Sequence, residues 1–122
     1  MSDPAAVRAV IEEYVAACRV RSVDRLKAIF HPDALMSGFL MDQRLLGSTQ
    51  PFYDALQHAP ADPPGSRYDV EITSVNVTGR IASATLQERG FLGLDFTDYF
   101  HLVEVDGQWQ IVSKTFTTLQ GR

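Results

Sequence analysis

Asp98 is the residue of this chain best placed for chemistry, an acid within the run Phe96-Thr97-Asp98-Tyr99-Phe100. What it can do depends on which way it faces. The stretch from Phe96 to Phe116 is rich in aromatic and β-branched residues on both sides of Asp106-Gly107, a pair suited to the positive φ angles of a two-residue type I′ turn. The spacing predicts a hairpin in which Val105 pairs with Gln108, Glu104 with Trp109, Leu102 with Ile111, Phe100 with Ser113 and Asp98 with Thr115. One face then carries Trp109, Leu102, Ile111, Phe100 and Asp98. An acid on a core-directed face is costly without partners, so it marks a cavity with a polar floor. There Asp98 would be a general base or a ligand acceptor, its pKa raised by desolvation. The competing reading is a structural carboxylate bonded to Ser113, Thr115 or a backbone amide.

Two further side chains could share that chemistry. Tyr14 lies on an apolar stripe with Val7, Val10, Ile11 and Cys18, and its hydroxyl could donate to a carbonyl or enolate in the cavity. It could equally be a core tyrosine. His31 precedes Pro32 at the corner between a helix and a strand, where it could act as acid or base or simply bond to the turn backbone. Phe52, Phe100, Trp109, Ser113 and Thr115 are the expected ligand contacts. His58 suits the negative end of a helix, and Tyr99, His101 and Lys114 fall on the hairpin face opposite Asp98 as interface or surface residues. No metal-ligand spacing, Ser/His/Asp arrangement or phosphate loop occurs, so neither a metal nor another cofactor is expected.

The elements that must hold these groups follow from punctuation and periodicity. Asp3-Pro4 reads as an N-cap and first helical residue, and Ser22 can cap a second helix, with Val23, Leu26, Ile29 and Phe30 buried, that stops before His31-Pro32. Ala34 to Leu40 and Gln43 to Leu46 form a short hairpin around Met41-Asp42, and Ser48 can cap a third helix carrying Phe52, Ala55 and Leu56. The segment from Ala59 to Ser66 is a Pro-rich, mobile loop on the rim. Strands follow at Tyr68 to Thr78, Ile81 to Arg89, and through the long hairpin. Helices first and strands last give an α+β order, not a doubly wound parallel sheet.

With 122 residues, 45% hydrophobic and 21% charged, the chain makes one domain, 1–122, with a substantial core. A net charge of −4 without a basic cluster argues against nucleic acid, and no apolar run is long enough to span a bilayer. The single cysteine, Cys18, and the lack of a leader-like segment fit a reducing, cytoplasmic setting. Several strands are apolar on both faces, as with Tyr99, Val103, Val112 and Phe116 opposite the Trp109 face. Helices cover only one face, so the other is expected to bury itself in a homodimer.

The segments Phe30-His31-Pro32-Asp33-Ala34, Phe96-Thr97-Asp98-Tyr99 and Asp106-Gly107-Gln108-Trp109-Gln110-Ile111-Val112, with Lys114-Thr115-Phe116, in this order along nearly the whole chain, resemble the nuclear transport factor 2-like, cystatin-like superfamily. Within it, the resemblance is to small bacterial proteins labelled lumazine-binding or SnoaL-like. It implies a curved, mixed but mainly antiparallel sheet wrapped around three N-terminal helices as a cone, with an internal pocket and a dimer through the convex face. Steroid isomerases of that fold use a tyrosine from the first helix and acids from the sheet, which would cast Tyr14 and Asp98 in those parts. The fold also hosts dehydratases, cyclases and members of no assigned activity, so it does not fix a function. The reading reached is a domain that binds a small apolar or aromatic molecule in a pocket floored by Asp98. The alternative is a cofactor-free isomerase, dehydratase or cyclase with Asp98 as base and Tyr14 or His31 stabilising the oxyanion.

Overall fold

The computed structural model describes residues 3–119, which form three helices and six strands. Helix α1 (Pro4–Arg19) starts where the Asp3 carboxylate accepts the Ala5 N–H at 2.9 Å, and it buries Val7, Ile11, Tyr14 and Cys18 on one stripe. Helix α2 (Val23–Ile29) is capped by the Ser22 hydroxyl, which accepts the Arg25 N–H at 3.2 Å, and ends ahead of His31-Pro32. Strand β1 (Phe30–Leu40) begins at once, earlier than Ala34, and a turn at Met41 and Asp42 leads to β2 (Gln43–Ser48). Helix α3 (Gln50–His58) has Thr49 at its N-cap, not Ser48, whose hydroxyl instead accepts the Gln50 N–H at 3.3 Å.

The second half is an antiparallel meander, β3 (Asp69–Thr78), β4 (Ile81–Phe91), β5 (Leu94–Val105) and β6 (Gln108–Thr118). The sheet order is β2-β1-β6-β5-β4-β3, with β1 running parallel to β6. That central parallel pair makes the sheet mixed. It also brings two backbones very close: a Cβ on Gly38 would lie 1.9 Å from the Phe116 carbonyl oxygen, so only hydrogen fits there. Helix α1 packs against β3, β4 and β6, and the core between helices and sheet holds Tyr14, Phe30, Leu86, Phe100, Leu102 and Ile111, all essentially without solvent contact. The Pro-rich loop is pinned: the Arg21 guanidinium donates to the Ala59 carbonyl at 3.0 Å, the Pro60 carbonyl at 2.7 Å and the Asp62 carboxylate at 2.9 Å.

The long hairpin turns at Asp106-Gly107, both with positive φ, and near the turn its pairing is the expected one, from Val105 with Gln108 to Leu102 with Ile111. Beyond that point the register differs. His101 pairs with Ser113, Phe100 with Lys114 and Asp98 with Phe116, because Val112 is left over in a β-bulge on β6. Since facing alternates along a strand, one extra residue reverses every side chain that follows. Lys114, Phe116 and Thr118 therefore turn into the core, whereas Thr115 is exposed and Ser113 only half-buried. The expected outward placement of Lys114 and Phe116, and the inward placement of Ser113 and Thr115, are both overturned by this bulge. It admits the large Phe116 ring to the core and brings a cation to the face that holds Asp98.

Candidate functional site

A cavity of about 330 Å³ opens between the β1–β2 hairpin, α3 and the β4–β5 turn. Its wall is mainly apolar, with Met36, Leu40, Phe52, Phe91, Phe96 and Phe116, and a few polar groups from Gln43, Ser48 and Lys114. Each comes from an element whose facing is set by strand or helix periodicity: Met36 from the inner face of β1, Phe52 from the first turns of α3, Phe96 and Phe116 from diagonal positions on the inner face of β5 and β6. A concave, apolar wall with few polar groups is the usual form of a small-molecule site.

Lys114 is the chemically distinctive part of that wall. It is 3% exposed and is the only buried cation among the described residues. Its Nζ donates to the Tyr14 hydroxyl at 2.6 Å and lies 4.3 Å from the centre of the Phe52 ring, 5.0 Å from that of Tyr14 and 5.4 Å from that of Phe116. Three ring faces take the place of water around an ammonium group. Tyr14 is itself locked, edge-on to Phe100 with ring centres 5.0 Å apart and stacked on Phe52 at 6.2 Å. Burial, aided by Cys18 and the nearby carboxyls, holds its hydroxyl well above the usual phenol range, so it carries its proton at neutral pH.

Behind Lys114 lie two acids. Strand pairing sets Leu86 opposite Asp98 and Glu88 opposite Phe96, which makes Glu88 and Asp98 diagonal neighbours on the inner face. Both are buried, Asp98 at 0% and Glu88 at 1% exposure. The Tyr68 hydroxyl donates to Glu88 Oε2, but Glu88 Oε1 and both Asp98 oxygens find no donor among the described residues. Desolvation first, and then the Glu88 carboxyl, push the Asp98 pKa well up, against the opposing pull of Lys114. A proton held between the two carboxyls supplies the partner that the amides and hydroxyls do not. Cys18 adjoins this cluster, its thiol pushed up to about 12 mainly by burial.

Of the residues expected from sequence to form a site, Phe52 lines the cavity and Tyr14 reaches it through Lys114. Asp98 faces inward as expected but sits a layer behind the wall, so Lys114 and not Asp98 forms the polar floor. Phe100 and Trp109 are buried in the core and do not line it, and neither do Ser113 and Thr115. His31 stands apart at the start of β1, where its Nδ1 accepts the Asp33 N–H at 3.0 Å, the backbone role weighed for it. Sequence reasoning missed Lys114 and Glu88. Glu88 had a signal, since it continues the inward alternation of Ala82, Ala84 and Leu86, whereas Lys114 needs a bulge that no local pattern announces. Among the described residues, no three His, Cys, Asp or Glu side chains gather as a metal site would require, and no helix is long and apolar enough to cross a membrane.

The arrangement can bind an oxygen-bearing apolar molecule, polarise a carbonyl with an ammonium and a phenol, and store a proton just behind them. The chain is 32% identical over 116 residues to a protein named Aldolase FrzH from Cladobotryum sp., covering 94% of this chain and 90% of that one. Among solved structures it superposes on an NTF2-like protein of unknown function from Shewanella baltica with a TM-score of 0.84, 25% identity and coverage of 95% and 93% of the two chains. A second NTF2-like protein of unknown function, from Silicibacter pomeroyi, gives a TM-score of 0.83 at 30% identity, with 94% of each chain covered. A cystatin-like fold domain from Nostoc punctiforme gives a TM-score of 0.73 at 22% identity, covering 96% of this chain and 77% of that one. The family described as "Putative lumazine-binding" matches residues 2–117, so the chain belongs to that family, on the NTF2-like, cystatin-like α+β fold.

Proposed function

We propose that this chain binds a small, largely apolar or aromatic molecule bearing a carbonyl or anionic oxygen, and that the Lys114–Tyr14 pair meets that oxygen. The observation that carries the reading is a caged, buried cation in the wall of an otherwise apolar cavity of about 330 Å³. Uncompensated burial of a charge is expensive, so a lysine kept there is a site feature more than a packing device. A catalytic form of the same reading, in which the chain works as a cofactor-free carbonyl enzyme, is favoured by the two buried acids on the same sheet face as Lys114 and by the name of the aldolase relative. In it Lys114 and Tyr14 stabilise a developing enolate while the Asp98–Glu88 pair holds or releases a proton.

The same proposal takes the chain to be a cytoplasmic homodimer that pairs through the convex sheet face, where Ile81, Tyr99, Leu35 and Phe39 are exposed. The pocket reading is tested with 1-anilinonaphthalene-8-sulfonate, an apolar fluorescent probe with one anionic group. Saturable binding is expected, weakened roughly tenfold or more by Lys114→Met, as removal of a desolvated charge partner does, and blocked by Ala55→Trp, which fills the cavity from α3. Binding that neither substitution alters would sink the reading.

A further inference from the structure

We infer that Lys114 is an imine-forming residue, whose Nζ condenses with the carbonyl carbon of an aldehyde or ketone held in the cavity. The inference rests on the carbonyl reading above and goes past it, from an ammonium that polarises to an amine that bonds. Two observations carry it. First, Lys114 belongs to the cavity wall while its head group sits among three aromatic rings, the desolvated setting in which lysines serve as nucleophiles. Second, its hydrogen bond goes to a phenol, and among the described residues no salt bridge fixes it. A carboxylate can only accept and so holds a lysine as ammonium, whereas the Tyr14 hydroxyl can accept from the ammonium or donate to the free amine.

The chemistry balances without an outside reagent. The ammonium gives a proton to a solvent water at the open side of the cavity and becomes an amine. The Nζ lone pair forms a bond to the carbonyl carbon as the C=O π electrons move to oxygen. That oxygen takes the Tyr14 proton and then, as the second, the one the solvent water received, and leaves as water when the C–O bond breaks. A nitrogen proton restores Tyr14. In sum, the ammonium and the carbonyl give an iminium and water, with no net proton and no change of oxidation state. The iminium withdraws electrons from the neighbouring carbon, whose C–H then ionises to an enamine able to form a carbon–carbon bond with a second carbonyl.

The chain contains two lysines, and Lys27 is exposed on α2, so it serves as an internal control. The intact protein is treated with benzaldehyde and sodium cyanoborohydride, and the reduced adduct is located by peptide mass mapping. The expected result is benzylation at Lys114 over Lys27 by roughly tenfold or more, since a bound carbonyl meets the amine at high effective concentration. The anilinonaphthalene probe and Ala55→Trp should suppress it. Lys114→Arg keeps the charge and should bind the probe yet give no pocket adduct. Benzylation confined to Lys27 and the chain terminus, with probe binding intact, overturns the imine and leaves the binding reading standing. Loss of both probe binding and Lys114 adduct in the unsubstituted protein overturns both.

Discussion

Asp98 shows how burial decides what a carboxyl does. With its pKa raised above the ordinary 3.8, the folded chain holds a proton that the unfolded chain releases, so its contribution to stability is full below about pH 4 and is lost as pH rises toward the folded value. The Asp98→Asn variant removes that titration and supplies an amide donor to the neighbouring acid. It should keep the fold and gain stability relative to the parent as pH is raised from 4 to 8, by up to about 1.4 kcal/mol per pH unit across the titration. Denaturant titrations of both proteins at several pH values measure this, and a stability difference that does not vary with pH would mean that Asp98 is ionised throughout. Cys18 gives a second check: with its thiol pushed up to about 12, it should resist iodoacetamide at pH 8 in the folded chain and react readily once denatured. Fast native alkylation would place it at the surface. Asp98 and Tyr14 were legible in the sequence because alternation and helical spacing set their facing. Their partners were not, since Lys114 is placed by an irregularity and the Asp98–Glu88 contact by the register between two strands.

The elements were easier to read than their contacts, for reasons that differ from one to the next. The starts of α1 and α2 are written in Asp3-Pro4 and Ser22, local signals that act within a turn of the chain, and the structure uses both. The Asp106-Gly107 turn likewise fixes the first pairs of the long hairpin. Its far half was misread because the bulge at Val112 has no glycine or proline to announce it. Its cause is nonlocal: Phe116 must enter the core beside Gly38 of the parallel strand, and Lys114 must reach Tyr14. Gly38 tests that account. Gly38→Ala would set a methyl group 1.9 Å from the Phe116 carbonyl oxygen, forcing β1 and β6 apart at a cost of about 1–3 kcal/mol, the range for overpacking. The same substitution at Gly47, where nothing lies within 4 Å of an added Cβ, should cost less. Equal losses for the two in denaturant titrations would show that the β1–β6 contact is looser than described.

For the molecule as a whole, element order alone, helices and then a meander, carried the fold class, while the apolar character of both sheet faces carried the expectation of a partner. The structure covers the inner face with α1 and leaves on the outer one a shallow concavity lined by Asn76, Ile81, His101, Val103 and Val112, with exposed Tyr99 on the same side. If two copies pair there about a twofold axis, every residue of the patch enters the interface twice, so one substitution places two like charges in it. Val112 is the residue to change, because it sits in the bulge, faces outward and makes no contribution to the pocket wall. Val112→Asp should leave the fold and probe binding intact but convert a micromolar dimer to monomer, since a desolvated, unpaired carboxylate costs several kcal/mol against the few that a modest interface leaves in surplus. Sedimentation velocity over a range of concentrations reads this directly. A parent protein that sediments at 13.6 kDa throughout would remove the dimer. A dimer indifferent to Val112→Asp would move the interface to another surface, such as the edge strand β2 with its exposed Leu46.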